Sequence, residues 1–376
     1  MNKILTYIAA ASILFGATSC DDFFDLRPSN KLIIDEYWQN EDDVLNVTAA
    51  AYNTMCGDGF MLRLILWSEF RSDNCLLSTA DNGNISAFAN LTLSASNDYA
   101  RWGEYYKVIN YCNTVEAFAP RVCDVSPTFT RAMLNAYIAE VRGIRAWCYF
   151  TLIRAFRDVP FVKEPTIDDE VEFEVAQADP DEIIDTLIDE LEEYVDLAQT
   201  SYTSNTYLRG RMTQNAIRTL LADMLLWRGR YAECVKYCDL VINDANNPLR
   251  LVPGATFFRN VFVSGTSTES IFELNFNSNT QGNNATKWLY CRSDAGGSHY
   301  ISANTNLHQI FDSNKDIRKY CAFEYHGDSD ASRDIVKYTG NCTNPTASNR
   351  GYSYYSDTEN RNWVVYRLAD VYLMKA

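Results

Sequence analysis

Histidine, glycine and proline are scarce in this 376-residue sequence, which contains only 3, 16 and 9 of them. The histidines, His299, His308 and His326, form no HExxH pattern or other spacing of paired metal ligands. The sequence also has no GxSxG nucleophile motif, no GxxxxGK phosphate-binding loop and no GxGxxG dinucleotide loop. It therefore predicts a protein that is not an enzyme and that holds no cofactor or metal.

Basic residues are also few compared with acidic ones. Lysine and arginine together number 33, against 49 aspartate and glutamate residues, and the formal net charge is −16. Recognition of a phosphate backbone needs a basic surface, so this balance argues against a nucleic-acid-binding protein. A carboxylate pair for glycoside hydrolysis stays open among 49 acids, but no pattern favours any two of them.

Apolar and aromatic side chains, in contrast, are abundant. Hydrophobic residues make up 47% of the chain and aromatic residues 13%, and 24 of the aromatics are tyrosines. This composition is typical of a globular protein with a large buried core. It excludes a disordered, collagen-like or small disulfide-stapled chain.

One continuous apolar run stands out, at the amino terminus. Residues 1–19 combine Lys3, an apolar run over residues 4–15 and small residues directly before Cys20. About twelve apolar residues are too few to span a bilayer, so the segment predicts a secretory signal peptide. We expect Cys20 to be the lipidated first residue of a mature bacterial lipoprotein, held by several acyl chains. The alternative is a soluble exported protein in which Cys20 is incidental.

Hydrophobic residues recur at helical spacing over most of residues 32–248. The pair Ser126-Pro127 is typical of a helix cap and first turn, and it precedes an apolar stripe over residues 134–156. Asp179 and Pro180 form a similar start before the stripe over residues 184–198. The acidic segment 164–174 between these two helices is predicted to be a solvated loop.

Residues 222–248 show the pattern of a tetratricopeptide repeat. A helix ends at Gly229 and a second helix follows from Tyr231, as in the paired helices of such repeats. In that register Cys234 and Cys238 occupy packing positions. Metal binding is the alternative for these two thiols, but a structural zinc needs four ligands and no second pair is suitably spaced. The ten cysteines after Cys20 form no disulfide framework, so we expect buried free thiols.

The pattern changes after residue 249. Residues 270–276 alternate as in a strand, and the next thirty residues show no period but are rich in asparagine, glycine and aromatics. A long unperiodic segment in a compact domain is usually functional or disordered. From residue 362 a last helix is predicted, and it reaches Ala376 without a terminating residue, so we expect the natural domain to continue.

Several motifs, taken in order, resemble the SusD/RagB family of outer-membrane nutrient-binding lipoproteins. Each motif is weak alone, but the ordered combination is specific and covers the whole mature chain. Two positions depart from the family pattern: Arg157 stands where a helix-ending glycine is usual, and Gly143 replaces a bulky apolar residue. The matching motifs are residues 20–28, Trp38, Glu41, Asp42, Ala51, Tyr52, Trp102, Tyr106, Ile109, Asn113, 139–160, Gly210, Arg211, 229–231, 270–273, 316–318 and 367–374.

The resemblance implies a mainly α fold in which tetratricopeptide-like helix pairs form one side and long loops with a few short strands form the ligand side. It divides the chain into a signal peptide (1–19) and a SusD-like domain (20–376), with helical repeats mainly at 32–248, a ligand region at 249–361 and a helix from 362. Residues Glu140, Arg142 and Arg145 are expected to pair with neighbouring helices.

The resemblance also implies a function. The protein would be a lipid-anchored, surface-exposed outer-membrane lipoprotein that captures oligosaccharide or polysaccharide and delivers it to a SusC-like TonB-dependent transporter. The alternative is a peptide-binding RagB-like lipoprotein or a protein-interaction scaffold.

Two stretches offer the side chains that sugars need, which are aromatic faces for C–H surfaces and planar polar groups for hydroxyls. The alternative for each is a structural role: the aromatics cover the edge of the solenoid, and Arg71 and Asp73 form a local ion pair. The candidate ligand residues are Asn284, Trp288, Tyr290, His299 and Tyr300 in the first stretch and Arg71, Asp73 and Asn74 in the second.

Overall fold

A computed structural model describes residues 34–78, 82–167, 174–304, 307–310, 316, 318, 323–325, 333–341, 353–354 and 358–376. The predicted signal peptide, Cys20, His326 and residues 168–173 of the acidic segment lie outside the described residues.

The described chain is mainly helical, as predicted. In chain order the helices are α1 (Ile34–Tyr37), α2 (Glu41–Met55), α3 (Asp58–Leu64), α4 (Gly83–Ala89), α5 (Gly103–Val125), α6 (Arg131–Phe156), α7 (Pro180–Tyr194), α8 (Asn205–Gly210), α9 (Gln214–Trp227), α10 (Tyr231–Ile242), α11 (Gly254–Phe257), α12 (Asn284–Tyr290), α13 (Leu307–Ile310) and α14 (Leu368–Lys375). Short turns of 3-10 helix occur at Asp98–Ala100, Val195–Leu197, Ser293–Ala295 and Thr358–Asn360, and π-helical turns follow α3 at Ile65–Glu69 and α11 at Phe258–Val263.

The strands are short and pair two by two. They are β1 (Cys75–Leu77), β2 (Val159–Pro160), β3 (Gln177–Ala178), β4 (Ser270–Leu274), β5 (Ile301–Ala303), β6 (Phe323–Tyr325), β7 (Arg333–Ile335), β8 (Gly340–Asn341), β9 (Ser353–Tyr354) and β10 (Trp363–Arg367). The antiparallel pairs are β1 with β5, β4 with β10, β2 with β3, β6 with β7 and β8 with β9. Two of them, β1 with β5 and β4 with β10, join segments that are distant in sequence.

The long helices pack against their neighbours along the chain, and we call α2, α5, α6, α7, α9 and α10 together the helical body. Helix α5 packs on α2 and on α6, α6 packs on α7, and α9 packs on α10. The turn between α9 and α10 holds Gly229 at φ +71°, a left-handed conformation that suits glycine. This is the helix pair that the tetratricopeptide pattern predicts. None of the described helices is both long and apolar enough to cross a membrane.

The described cysteines support the prediction of free thiols. All eight of them are free, and Cys234 and Cys238 are buried, with their Sγ atoms 4.0 Å apart on α10. Burial raises the pKa of Cys238 to about 12, so this thiol is protonated at neutral pH. Both side chains therefore serve the packing between helices.

The charged residues of α6 pair with neighbouring helices, as expected. Arg211 donates two hydrogen bonds to Glu140, of 2.7 and 2.6 Å, and the Glu140 side chain is only 6% exposed. Arg142 and Arg145 both contact Glu116 on α5, at 2.7 and 2.6 Å. Buried charges of this kind are tolerated only where they are paired, so the network ties the helical body together.

Two predicted helix boundaries are wrong. Helix α6 begins at Arg131, where the Thr130 side chain accepts a hydrogen bond from the backbone of Met133, and Ser126-Pro127 lies in the preceding turn. The helix predicted from residue 362 starts only at Leu368, because Trp363–Arg367 forms β10 and pairs with β4. Local patterns cannot reveal a pairing with a strand about ninety residues earlier.

Candidate functional site

The two predicted ligand stretches meet across the β1–β5 ladder, but at opposite ends of it. Cys75 pairs with Ala303 and Leu77 with Ile301, so His299 and Tyr300 adjoin Ser78 while residues 71–74 adjoin Asn304. A ladder of three residues is about 10 Å long. The two stretches are therefore neighbours that do not form one cluster.

Trp288 on α12 and Tyr300 before β5 form an aromatic pair, which we call the aromatic platform. Their ring centroids lie 4.7 Å apart at an interplanar angle of 61°, an edge-to-face arrangement, and both side chains are half-buried. The backbone N–H of Ser298 donates to the carbonyl of Trp288 at 2.9 Å, and that of Ser78 donates to the carbonyl of Tyr300 at 2.9 Å. Both rings are thus held by their backbones as well as by each other.

The loop that joins the two rings is tightly folded. Gly296 has a left-handed backbone at φ +78°, and the N–H of Gly297 donates to the carbonyl of Arg292 at 2.9 Å. A Cβ atom on Gly297 would lie 2.0 Å from the carbonyl oxygen of Cys291, so only glycine fits at this position. The loop therefore has little freedom to move Tyr300 relative to Trp288.

Polar groups from other elements surround the aromatic platform. Asn284, one turn before Trp288 on α12, donates to the exposed carboxylate of Asp58 at 3.4 Å. Tyr99 is half-buried beside Tyr300, and burial together with that neighbour raises the pKa of Tyr99. A sugar ring placed on the platform would find ring faces and hydrogen-bonding groups within one small area.

The structure separates Tyr290 from the aromatic platform, and a ligand role for it stays a prediction. Its side chain is only 4% exposed and lines a cavity of about 310 Å³ on the inner side of α12. Because successive helical residues are rotated by about 100°, residues 288 and 290 face nearly opposite directions. The sequence pattern did not predict helix α12. It therefore gave no indication that residues 288 and 290 lie on opposite sides of a helix.

Arg71, Asp73 and Asn74 form an exposed turn before β1. Arg71 donates from Nη1 to the backbone carbonyl of Ala155 at 3.0 Å. Asn304 donates from its side chain to the carbonyl of Asp73 at 2.7 Å and from its backbone to that of Asn74 at 2.8 Å. The Asp73 side chain is free to face solvent, so a ligand role for this turn stays a prediction.

His299 lies behind Tyr300, where it contacts protein groups. Its Nδ1 is 3.0 Å from the hydroxyl of Ser78, and its side chain is 15% exposed. His299 has φ +52°, a left-handed conformation that costs a non-glycine residue about 1 kcal/mol. The predicted residue is therefore next to the aromatic platform, and its side chain is mostly enclosed by protein groups.

Some residues around the aromatic platform had no signal in the sequence. Asp58, Ser78, Tyr99 and Asp334 come from four separate elements, and none belongs to a motif with a recognisable spacing. The pairing of β1 with β5 and the packing of α12 on α3 bring two of these elements, β1 and α3, to the platform. Within the described part of the chain, no group of three or more His, Cys, Asp or Glu side chains is placed to hold a metal ion.

The sequence and the fold of this chain resemble those of known proteins. Models of protein families give no match. Two SusD-like proteins of Formosa agariphila are 24% and 23% identical over 197 and 283 residues, which are 51% and 72% of this chain. A laminarin-binding SusD-like protein of known structure superposes with a TM-score of 0.72 at 20% identity, over 90% of this chain and 80% of its own. The chain is similar in sequence to SusD-like proteins over half of its length or more, and it shares the fold of SusD-like structures.

Further SusD superfamily structures agree with this result. One from Bacteroides vulgatus has a TM-score of 0.71 at 21% identity, over 89% of this chain and 74% of its own. One from Bacteroides thetaiotaomicron has a TM-score of 0.69 at 18% identity, over 90% and 76%. The SusD-like resemblance seen in the motifs is thereby confirmed. The matches to the two Formosa proteins span only 37% and 52% of their lengths.

Proposed function

We propose that this SusD-like protein binds an oligosaccharide or polysaccharide at the aromatic platform and does not hydrolyse it. As a lipoprotein anchored through Cys20 at the outer surface of the outer membrane, it would deliver the glycan to a SusC-like TonB-dependent transporter. The observation that carries the proposal is the edge-to-face pair of Trp288 and Tyr300, held on a tightly folded loop and bordered by amide and carboxylate groups.

The charges around the aromatic platform favour an uncharged glycan. The guanidinium of Arg63 donates to three backbone carbonyls, and Lys287 is paired with Glu359. The carboxylate of Asp58 in contrast is exposed and accepts, among the described residues, only from the neutral Asn284 amide, whereas exposed Asp98 is paired with Arg101 at 3.0 Å. An anionic sugar would meet the carboxylate of Asp58 and cations that are already engaged, so its binding would be weakened by repulsion.

Binding is best tested by calorimetry with laminarin, because a structural neighbour binds it. Replacing both Trp288 and Tyr300 by Ala is expected to weaken binding about tenfold or more, since each stacked aromatic contributes to the contact with the sugar ring. Trp227→Ala is the matched control, because Trp227 is 55% exposed at the end of α9, outside the loop region. Its affinity should equal that of the wild type.

Three outcomes would contradict the proposal. Equal affinity of the double variant and the wild type would remove the aromatic platform from the site. Binding of peptides instead of any polysaccharide in a panel would favour a RagB-like peptide carrier. Release of reducing ends during long incubation with glycan would show an enzyme.

Delivery to a transporter is tested separately. The full-length protein, extracted from membranes in mild detergent, is expected to co-purify with a TonB-dependent transporter and to carry an acylated Cys20 on mass spectrometry. A lipoprotein that always purifies alone would count against the partnership, and an unmodified Cys20 against the anchor.

A further inference from the structure

The aromatic platform depends on where Tyr300 is held, and the residue before it has an unusual backbone. His299 adopts φ +52°, a region that glycine and asparagine occupy more easily than histidine. A strained residue persists only where the surrounding structure over-determines it, and such residues concentrate at functional sites. The contacts of the imidazole are therefore expected to hold His299 in this conformation.

The imidazole of His299 bridges two strands. On one side Nδ1 lies 3.0 Å from the hydroxyl of Ser78, which directly follows β1. On the other side Nε2 lies 2.9 Å from Oδ1 of Asp334 on β7, although these two atoms are not aligned as a hydrogen bond. The ring, next to Tyr300, thus contacts β7 and the residue that follows β1.

Both partners of the imidazole are themselves fixed. Asp334 is fully buried, and Arg292 donates to its Oδ1 at 3.1 Å, with Nε 2.7 Å from Oδ2. Ser78 contacts this segment twice, because its backbone N–H donates to the carbonyl of Tyr300 and its hydroxyl contacts the imidazole. Because Asp334 and Ser78 are both held in place, the imidazole that contacts them is restricted to one position.

We infer that His299 is a positioning residue for the aromatic platform: its imidazole, held between Ser78 and Asp334, keeps Tyr300 edge-to-face with Trp288. It acts through Tyr300 and does not itself touch the ligand. The inference rests on the proposed function, since it assigns this residue a role in glycan affinity. It also explains why a histidine, and not a glycine, occupies a left-handed position.

The test uses His299→Gly, because glycine relieves the backbone strain while removing both contacts of the imidazole. The purified full-length variant should unfold within about 3 °C of the wild type, yet bind laminarin roughly tenfold more weakly, because the platform is no longer pre-organised. Its near-ultraviolet circular dichroism should lose the signal of the paired rings, as in Tyr300→Ala.

Two further variants keep the result specific. His299→Asn tolerates the left-handed backbone and places an amide where Nδ1 contacts Ser78, so it should restore part of the affinity and of the ring signal. Thr266→Gly is the matched control, since Thr266 is also left-handed, at φ +47°, and uses only its backbone N–H, which donates to Glu273. It should behave as the wild type.

An unchanged ring signal and affinity in His299→Gly would overturn the inference, and so would an equal loss in Thr266→Gly. If the wild type binds no glycan, the proposed function fails, but the ring signal of His299→Gly still decides whether the imidazole positions Tyr300. If His299→Gly does not fold, the comparison of His299→Asn with the wild type decides it, since no change in either readout contradicts the inference.

Discussion

The helical body and the aromatic platform are stabilised in different ways. In the helical body, apolar stripes and buried ion pairs join helices that are mostly neighbours along the chain. At the platform, backbone hydrogen bonds and one imidazole join segments that lie more than two hundred residues apart in sequence. The body can therefore tolerate changes at its surface, whereas the platform depends on a few contacts that fix the position of two rings.

The largest effect on stability is expected when a buried charge of the helical body is removed. Glu140→Ala leaves the Arg211 guanidinium, 16% exposed, without its carboxylate partner and removes the acceptor of the Tyr52 hydroxyl. We expect the free energy of unfolding to fall by about 3–5 kcal/mol, because an unpaired buried charge keeps its desolvation cost. Urea denaturation measures the change.

The control for this variant is Glu233→Ala, which removes the partly exposed pair with Arg230 on α10. A solvent-exposed pair contributes about 0–1 kcal/mol. If the two variants lose equal stability, buried and exposed pairs do not differ in this protein and the description of the helical body is wrong.

A change of intermediate size tests the fold of the loop that joins the platform rings. Gly297→Ala would place a Cβ atom 2.0 Å from the carbonyl oxygen of Cys291, so the backbone has to shift. We expect a loss of about 1–3 kcal/mol in unfolding free energy, and glycan affinity should fall more strongly than in any variant of equal stability in the helical body.

Gly254→Ala serves as its control, because no atom lies within 4 Å of the position of the new Cβ. Calorimetry and thermal unfolding of both variants separate a local from a global effect. Normal laminarin binding by a destabilised Gly297→Ala protein would show that the loop does not set the geometry of the platform.

The smallest expected effect concerns a surface ion pair and its pH dependence. Arg228 donates to both carboxylate oxygens of Asp185, at 2.9 and 2.8 Å, and these hydrogen bonds lower the pKa of Asp185 below its ordinary value of 3.8. The carboxylate is 46% exposed, so screening by solvent limits its contribution to less than about 1 kcal/mol.

Asp185→Asn should therefore cost little at pH 7. A carboxyl whose pKa is lower in the folded state stabilises the fold at pH values above its ordinary pKa. This contribution is lost as the pH falls below the ordinary pKa. The difference in unfolding free energy between wild type and variant should thus close between about pH 4 and pH 2. A difference that is larger at pH 3 than at pH 7 would contradict this assignment.

Local patterns predicted the helical body well for a physical reason. The stripe Ile184, Leu187, Ile188 and Leu191 is buried, and Asp179 caps α7 with Pro180 in its first turn, because both signals act within a few residues. At α6 two local starts competed, and Thr130 rather than Ser126 became the cap. A cap signal alone does not decide between alternatives that lie four residues apart.

The two departures from the SusD-like pattern have different outcomes. Arg157, which follows α6, has a positive φ of +68°, but its ψ of −91° differs from the left-handed cap expected of a helix-ending glycine. At Gly143 the side chain of Met212 fills the space, since a Cβ would lie 2.4 Å from its Cγ. The substitution of a bulky residue by glycine therefore leaves no gap, which only the packing of α6 against Met212 reveals.

Helical periodicity, caps and ordered motifs are local properties of the chain, so the class of fold and the resemblance could be predicted without any tertiary information. The sequence also named Trp288, Tyr300 and His299, because a loop rich in asparagine, glycine and aromatics is visible as such. Three facts are visible only in the folded protein: Tyr290 is buried, residues 363–367 form a strand, and Ser78 and Asp334 contact His299. These facts depend on which side of a helix a residue faces and on pairing between distant segments. Neither can be recognised in a short stretch of sequence.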